Sequence, residues 1–368
     1  MEEHKIKEFV TESNILGHTG KEAKKLTVKL WAKGVVPKEN VFSGSENTQY
    51  YIRHSGQLMY GKLDFLNCAF GIVPPELDGY ESTLDAPAFD MHDISDKFLL
   101  CYVTRKIFYK KNGDIANGSR KAKRIHPDVF GEMSIMVPSL PEQQKIADFL
   151  STIDTVIEKQ KETASAWEER KKGVMQKLFS QKVRFKADDG DQFPEWEEKK
   201  LGEVFEFYNG KAHENVISEN GKYVVVNSKF ISTDGTVRKY TNEMIFPLIK
   251  KDIVMVMSDV PNGKAISKCF LINENNKYTL NQRICCLRTK ENAVFYINQI
   301  SRNKYFLKFD DGVKQTNLRK NDILQCPLLC PCLAEQQKIA DCLSSLDEVI
   351  KKQKATLAAW EELKKGLL

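Results

Sequence analysis

The chain has 368 residues, 41% of them hydrophobic and 29% charged, with a net charge of +6. This length exceeds one ordinary core and suits two folded domains, and the composition excludes a largely disordered protein. No apolar run approaches the roughly 20 residues that a membrane span needs, and the N-terminus lacks the apolar stretch of a signal peptide. Nine irregularly spaced cysteines argue against a secreted disulfide framework. We therefore expect a cytoplasmic protein with reduced thiols.

Hydrophobic periodicity and turn-forming residues divide the chain into alternating globular and helical parts. We predict a globular domain at residues 1–138, a long helix at 139–181, a linker at 182–194, a second globular domain at 195–331 and a second long helix at 332–368. Short β-rich runs, such as 223–226 and 253–257, predict strands inside the globular domains. The excess positive charge lies in these domains, mostly in the second, which favours nucleic acid as a partner.

An internal repeat organises the whole chain. The segment from Pro138 to Asp148 recurs from Pro331 to Asp341, at an offset of 193 residues. Across residues 138–175 and their counterparts at 331–368, 25 of 38 aligned positions are identical. The second copy ends before a counterpart of residues 176–180, so we expect its helix to be about one turn shorter. The repeat predicts two similar halves, each a globular domain followed by a long helix.

Both copies carry a heptad seam, with apolar residues at alternating steps of three and four. The predicted helix-pairing residues are Ile146, Leu150, Ile153, Ile157, Gln160 and Trp167 in the first copy, and Ile339, Leu343, Leu346, Ile350, Gln353 and Trp360 in the second. Such a stripe is also typical of a single helix that faces a core, but two near-identical stripes favour an antiparallel coiled coil. In that pairing Gln160 and Gln353 are expected near the crossing, where they can hydrogen-bond each other.

The predicted length of the first helix suggests a role as a spacer. Residues 141–180 correspond to a rod of roughly 60 Å, which cannot lie inside either globular domain. We therefore expect the helices to hold the two domains apart.

Basic residues cluster shortly before each long helix. The first cluster consists of Arg105, Lys106, Lys110, Lys111, Arg120, Lys121, Lys123 and Arg124, and the second of Arg302, Lys304, Lys308, Lys314, Arg319 and Lys320, with Gln315 and Asn317 among them. A charge run is often only a solvated face, but both copies place theirs at the same point of the repeat. We predict that the lysines hold DNA phosphates and that the Arg, Gln and Asn side chains read base edges.

Catalytic and metal-binding motifs give little support to an enzyme. The sequence lacks an Asn/Asp-Pro-Pro-Tyr/Phe adenine-methyltransferase motif, and none of its Gly-Lys pairs is followed by the Ser or Thr of a phosphate-binding loop. Cys326, Cys330 and Cys332 suggest a zinc site with His126 or His213, but two of the three correspond to apolar residues in the first copy. We expect small buried hydrophobic side chains there, with no metal site and no catalytic residue.

The chain resembles the specificity subunits of Type I restriction–modification systems. The resemblance lies in Leu140-Pro-Glu-Gln-Gln144 and its counterpart Leu333-Ala-Glu-Gln-Gln337, in the Lys-Lys-Gly pattern near each helix end, and in Phe193-Pro-Glu-Trp196 ahead of Lys200-Leu-Gly-Glu203. It implies an α/β (α+β) fold in which two target-recognition domains are separated by two long antiparallel helices, with a pseudo-two-fold, circular arrangement.

The resemblance also implies a function without catalysis. The two target-recognition domains would each read half of a bipartite double-stranded DNA site, and the helices would dock two adenine-methyltransferase subunits, which motor–nuclease subunits join. The chain itself is then expected to need no cofactor, while its partners use S-adenosylmethionine, ATP and Mg. The alternative is a coiled-coil interaction scaffold without sequence-specific DNA binding.

Overall fold

The computed structural model describes residues 2–20, 22–39, 47–113, 124–260, 263–310 and 313–367. Contacts divide the chain into two compact units: unit 1 comprises Met1–Glu162 with Ala355–Leu368, and unit 2 comprises Thr163–Lys354. Both boundaries fall inside long helices. Each unit therefore contains one globular lobe together with one part of each long helix.

The lobe of unit 1 is built mainly from short strands. Its elements are β1 (Glu2–Lys5), β2 (Val10–Ser13), β3 (Leu16–Thr19), β4 (Leu26–Val28), β5 (Val35–Pro37), β6 (Gln49–Ile52), β7 (Leu58–Tyr60), β8 (Phe70–Ile72), β9 (Glu81–Ser82), β10 (Ala88–Met91), α1 (Asp96–Val103), α2 (Lys106–Gly113), α3 (Pro127–Gly131) and β11 (Ser134–Val137). Helix α4 (Leu140–Phe179) follows directly and continues into unit 2.

The lobe of unit 2 also combines short strands with short helices. It contains β12 (Glu197–Lys200), α5 (Leu201–Val204), β13 (Glu206–Asn209), β14 (Tyr223–Val226), α6 (Ser228–Ser232), β15 (Lys239–Thr241), β16 (Ile253–Val256), β17 (Ser258–Asp259), β18 (Cys269–Leu271), β19 (Tyr278–Leu280), β20 (Ile284–Arg288), α7 (Ala293–Ile300), α8 (Lys304–Leu307), β21 (Thr316–Asn317), α9 (Lys320–Leu324) and β22 (Pro327–Cys330). Helix α10 (Leu333–Leu367) begins here and continues into unit 1.

The sequence repeat is a structural repeat. In each lobe the first strand pairs antiparallel with the last, β1 with β11 in unit 1 and β12 with β22 in unit 2. Each contains a four-stranded sheet, in the order β2-β10-β7-β8 and β13-β20-β16-β18. The predicted α+β class is confirmed, and the strands at 223–226 and 253–256 coincide with the β-rich runs of the sequence.

Outside the four-stranded sheet the lobes differ. Unit 1 has a sheet ordered β3-β6-β9 and a β4–β5 hairpin, whereas unit 2 has a sheet ordered β15-β14-β19 and a β17–β21 pair. The β14–β19 pairing is parallel, but the β6–β9 pairing is antiparallel. The shared sheet and its helices thus form a common frame, and the remaining strands of each lobe differ in order and pairing.

The shared frame is held by buried aromatic and aliphatic side chains. In unit 1 the rings of Tyr60, Phe65, Phe70, Phe89 and Phe130 pack together, with centroids 4.8 Å apart for Tyr60 and Phe130. Aromatic burial of this kind supplies a large part of a small lobe's hydrophobic stabilisation.

In unit 2 the end of α4 joins the core. Leu178 is buried in the same cluster as Ile339 and Leu343 of α10, with Val174 packed against it. The pattern of 3.6-residue periodicity in both helices explains why one stripe enters the core while the rest of the surface stays polar. Among the described residues, no helix is long and apolar enough to cross a bilayer.

Candidate DNA interface and paired helices

The Gln-Gln motif at the start of each long helix joins that helix to its lobe. In unit 1 the amide of Gln143 accepts a hydrogen bond from the backbone N–H of Ser95 (2.8 Å), the N-cap of α1, and donates to the carbonyl of Pro138 (2.9 Å). In unit 2 the amide of Gln336 accepts from the N–H of Asn292, the N-cap of α7, and donates to the carbonyl of Pro331 (2.9 Å). Both glutamines are buried. The motif therefore fixes each lobe to its helix.

Helices α4 and α10 run antiparallel within each unit, as their ion pairs show. In unit 2, Lys171 pairs with Asp347 (2.6 Å) and Glu168 with Lys354 (2.5 Å). As the residue number increases along α4, the number of the paired residue in α10 decreases, so the two helices are antiparallel.

The ion pairs of unit 1 are the repeat counterparts of those in unit 2. Asp154 pairs with Lys364, and Lys161 with Glu361 (4.0 Å). An offset of 193 residues converts these pairs into Asp347 with Lys171 and Lys354 with Glu168. Exposed pairs contribute roughly 0–1 kcal/mol each. Their main effect is to favour the antiparallel orientation of the two helices, because a parallel pairing in register would place Lys171 opposite Lys364, a second lysine.

The predicted seam residues are buried or half-buried along both helices. Leu150, Ile153, Ile157, Ile339 and Leu343 are buried, and Ile146, Gln160, Trp167, Leu346, Ile350, Gln353 and Trp360 are half-buried. The neighbouring positions are mostly exposed. The expected hydrogen bond between Gln160 and Gln353 stays a prediction.

In unit 1 the basic candidates lie at several places rather than in one patch. Arg105 stacks its guanidinium 3.5 Å from the ring centroid of Tyr102, and it lines a cleft of about 1090 Å³ with Lys111. Lys110 donates to the carbonyl of Leu66 (3.0 Å), and Lys106 is exposed at the start of α2.

The second half of the same cluster is only partly within the described chain. Arg120, Lys121 and Lys123 lie outside the described residues. Arg124 is described, and its Nε lies 3.4 Å from a carboxylate oxygen of Asp85. Because Arg124 is already paired with an acid, a DNA contact by this side chain has to compete with Asp85.

In unit 2 three candidates contact the segments that follow β16, residues 257–260 with β17 and residues 263–268. Arg302 donates to the carbonyl of Ile266 (3.1 Å). Gln315 donates to the hydroxyl of Ser258 (2.6 Å), and β21, which contains Asn317, pairs with β17. The amides of Gln315 and Asn317 are both exposed and only 3.4 Å apart at their closest polar atoms. Such amide groups have the hydrogen-bonding pattern that reads adenine.

The remaining candidates of unit 2 lie on α8, just before β21 and at the start of α9. Lys304 is exposed at the start of α8, and Lys314 is exposed ahead of β21. Arg319 is the N-cap residue of α9, and Lys320 holds its ammonium 5.6 Å from the ring centroid of Phe207.

An equivalent backbone hydrogen bond holds the end of the basic segment in each lobe. The N–H of Ile125 donates to the carbonyl of Lys62 (3.2 Å), and the N–H of Leu318 donates to the carbonyl of Met257 (2.8 Å). These carbonyls follow β7 and β16, which hold the same position in the shared sheet. Ile125 and Leu318, which end the two basic segments, are therefore attached at the same point of the shared sheet in both lobes.

Two of the three candidate zinc cysteines, Cys326 and Cys330, are buried thiols, and Cys332 is half-buried. Cys326 immediately precedes β22 and Cys330 is its last residue, both inside the core of unit 2, and burial raises the pKa of Cys326 to about 12. Among the described residues, no three metal-ligating side chains form a group that suits a metal ion. His213 instead bonds the carbonyl of Lys211 (2.7 Å) and the hydroxyl of Thr279 (3.0 Å).

Sequence reasoning missed two polar positions that shape the lobes. Arg53 is fully buried, and it donates to the hydroxyl of Ser82 (2.7 Å) and the carbonyl of Ser13 (2.6 Å). Asp252 is also buried, and it forms a bidentate pair with Arg288 at 2.8 Å. Neither residue stands in a recognisable motif, so only the fold reveals its role.

This arrangement defines a class of protein: two lobes of one design, each joined through a Gln-Gln motif to paired helices. The family described as Type I restriction modification DNA specificity domain matches residues 89–164 and 194–359. The chain belongs to this family.

Individual relatives agree with the family. The chain is 26% identical over 269 residues to the Type I restriction enzyme MjaVIII specificity subunit of Methanocaldococcus jannaschii, covering 66% of this chain and 62% of the relative. It is 23% identical over 288 residues to the putative type I restriction enzyme MjaX specificity subunit of the same organism, covering 74% and 65%. The alignments thus span less than two thirds of each relative.

A solved structure shows the same fold. The S subunit of a Type I restriction–modification system from M. genitalium superposes with a TM-score of 0.57 at 15% identity, covering 100% of this chain and 94% of that chain.

Proposed function

We propose that this protein is the DNA-specificity subunit of a Type I restriction–modification complex. It binds a bipartite double-stranded DNA site and directs partner adenine-methyltransferase and motor–nuclease subunits, without a catalytic centre of its own. The observation that carries the proposal is the duplicated lobe, in which a polar or basic segment is attached at the same point of the shared sheet. Family membership supports the same conclusion.

The partners and cofactors follow from this proposal. Two methyltransferase subunits bind the paired helices, and S-adenosylmethionine, ATP and Mg belong to the partner subunits. The complex works on DNA in the cytoplasm. A mobility-shift titration with random and genomic fragments separates this function from a coiled-coil scaffold, which would bind both sets of fragments equally or not at all.

The first prediction concerns the basic cluster of unit 1. Replacing Arg120, Lys121, Lys123 and Arg124 together with alanine should weaken DNA binding and flatten its salt dependence, because fewer counterions are released. The measurement is the dissociation constant of a DNA duplex over a series of salt concentrations.

The matched control replaces four exposed lysines of the long helices, Lys172, Lys177, Lys351 and Lys352, with alanine. This change removes a similar charge but leaves the lobes intact, so the salt dependence should stay close to that of the parent chain. Equal affinity of the cluster variant and the parent at low and high salt would exclude the cluster from the DNA-binding face.

A further inference from the structure

The loop of the β4–β5 hairpin, residues 29–34, carries an exposed tryptophan in the lobe of unit 1. Trp31 is 57% exposed, and Leu30 before it is 38% exposed. Single apolar side chains are common on protein surfaces and do not indicate a function by themselves. The backbone of Trp31 and the charges around it, however, set this residue apart.

The backbone around Trp31 is held in an unfavourable conformation. Trp31 and Ala32 both lie in the left-handed region, with φ of 62° and 52°. Residues with a side chain keep this conformation only where the surrounding structure imposes it, and such positions cluster at functional sites. Here the backbone N–H groups of Trp31 and Ala32 donate to the carbonyls of Asn67 (2.9 Å) and Cys68 (2.7 Å). The exposed indole therefore stands on a fixed backbone.

The hairpin loop is also fixed to the shared sheet. The N–H of Lys29 closes the loop by donating to the carbonyl of Gly34 (2.9 Å). Gly34 lies against Gly71 of β8, where an added Cβ would lie 2.9 Å from the carbonyl carbon of Gly34. A side chain at position 71 would push the hairpin away, so glycine permits this close approach. Because β8 belongs to the four-stranded sheet, the position of the loop is set by the common frame of the lobes.

The turn that holds Trp31 also holds the basic helix α2. This turn is a single 3₁₀ turn at Phe65–Asn67. Lys110 of α2 donates to the carbonyl of Leu66 (3.0 Å). Gly113 at the end of α2 lies so close that an added Cβ would meet the side chain of Leu66 at 2.3 Å. Trp31 and Lys110, a predicted DNA-binding residue, are therefore attached to neighbouring residues of one turn.

Lysines surround the exposed tryptophan. Residues 24–38 contain five lysines and no acidic residue. Lys29 and Lys33, two positions before and after Trp31, are both exposed, as is Lys110 on α2. The hairpin loop and α2 thus present positive charge around an aromatic side chain. This combination suits DNA, because the lysines can hold phosphates and the indole can contact bases.

We propose that Trp31 is a base-contacting residue of the lobe of unit 1. Its indole packs against a base of the half-sequence that this lobe reads, and Lys29 and Lys33 hold neighbouring phosphates. The phosphate contacts position the lobe, while the contact of the indole with a base contributes to sequence preference. This assignment rests on the proposed function and adds to it a residue outside the two basic clusters.

Binding of the full chain to two DNA duplexes tests the role of the indole. The first duplex is selected from a random library by the parent chain, and the second has the same composition in shuffled order. Trp31→Ala should weaken binding to the selected duplex about tenfold, because stacking on a base is lost, and should change binding to the shuffled duplex little. Trp31→Phe keeps an aromatic ring and should recover most of the affinity.

The flanking lysines should give a different result with the same duplexes. Replacing Lys29 and Lys33 together with alanine should weaken binding to both duplexes alike. The slope of log affinity against log salt concentration should become shallower by about 1 to 2, because up to two phosphate contacts are lost. The preference for the selected sequence should stay close to that of the parent chain.

Phe149→Ala is the matched control for the tryptophan. Phe149 is 55% exposed on α4, outside the lobe, so this change also removes an exposed aromatic side chain. The variant should bind both duplexes like the parent. Trp31→Ala should melt at the same temperature as the parent, because its side chain is mostly exposed and the backbone contacts of the loop remain.

The outcomes separate this assignment from the proposed function. If the parent selects a defined sequence and Trp31→Ala binds it as tightly as the parent, the base contact is overturned while the proposed function stands. An equal loss of affinity for both duplexes also overturns the base contact. A parent chain that selects no sequence overturns the proposed function and this assignment with it. Unchanged DNA binding with weaker binding of a methyltransferase subunit would assign Trp31 to a protein contact instead.

Discussion

Glu335→Gln is expected to lower the free energy of unfolding by about 3 kcal/mol. The change removes the charge that pairs with Arg184 at a site where the glutamate is fully buried, and breaking a buried pair from one side costs about 3–5 kcal/mol. Glutamine keeps one acceptor for the indole of Trp196, which favours the lower end of that range. Urea denaturation followed by tryptophan fluorescence measures the loss.

The internal repeat supplies the control for this variant. Glu142→Gln makes the same chemical change at the equivalent position of α4, where the side chain is exposed. It should change the free energy of unfolding by no more than about 0.5 kcal/mol. Equal effects of the two substitutions would show that the contacts of Glu335 with Arg184 and Trp196 do not stabilise the fold.

Insertion of one heptad into both long helices is expected to lengthen the unread spacer of the DNA target. Seven residues add about 10.5 Å to each helix and preserve the heptad seam. If the helices set the separation of the lobes, the spacer grows by up to about three base pairs, since equivalent groove positions repeat about every 34 Å or about 10 base pairs. Each half-sequence should stay unchanged, because the lobes are untouched.

A heptad inserted into α4 alone is the matched control. It shifts Lys171 relative to Asp154, so their pairs with Asp347 and Lys364 cannot both form. We expect this variant to lose stability and DNA binding. Selection of bound sequences from a random DNA library provides the readout, and a spacer that is unchanged by the double insertion would contradict the role of the helices as a ruler.

The long helices could be predicted closely from the sequence. The expected spans of 139–181 and 332–368 compare with observed helices at Leu140–Phe179 and Leu333–Leu367. Helical periodicity is a local property that is repeated over many turns, so it survives without knowledge of the tertiary structure. The residues that form the repeated ion pairs are present in both copies of the sequence repeat. Their pairing could be recognised only once the antiparallel register of the two helices was known.

The lobes could be predicted only in outline. Most strands have two to five residues, and strand preference depends on burial and on cross-strand neighbours. Residues 223–226 show the point, because the sequence predicts a strand there but not its parallel pairing with residues 278–280. The pairing is set by contacts between residues far apart in the chain.

The candidate interface shows a similar division. The sequence predicted basic and amide side chains at corresponding places, but it did not show that Arg124 faces Asp85 or that Gln315 lies beside Ser258. It also presented the Gln-Gln motif only as a family signature. The duplicated glutamine was the signal, because a buried polar residue kept in both copies usually has a specific partner.

The most direct test of the central claim is methylome sequencing of a host strain with and without this gene. Adenine methylation that depends on the gene should appear at two short, different half-sequences separated by a fixed number of unread base pairs. A methylation pattern that is unchanged by deletion of the gene, or a continuous target sequence, would contradict the assignment of two DNA-reading lobes to this chain.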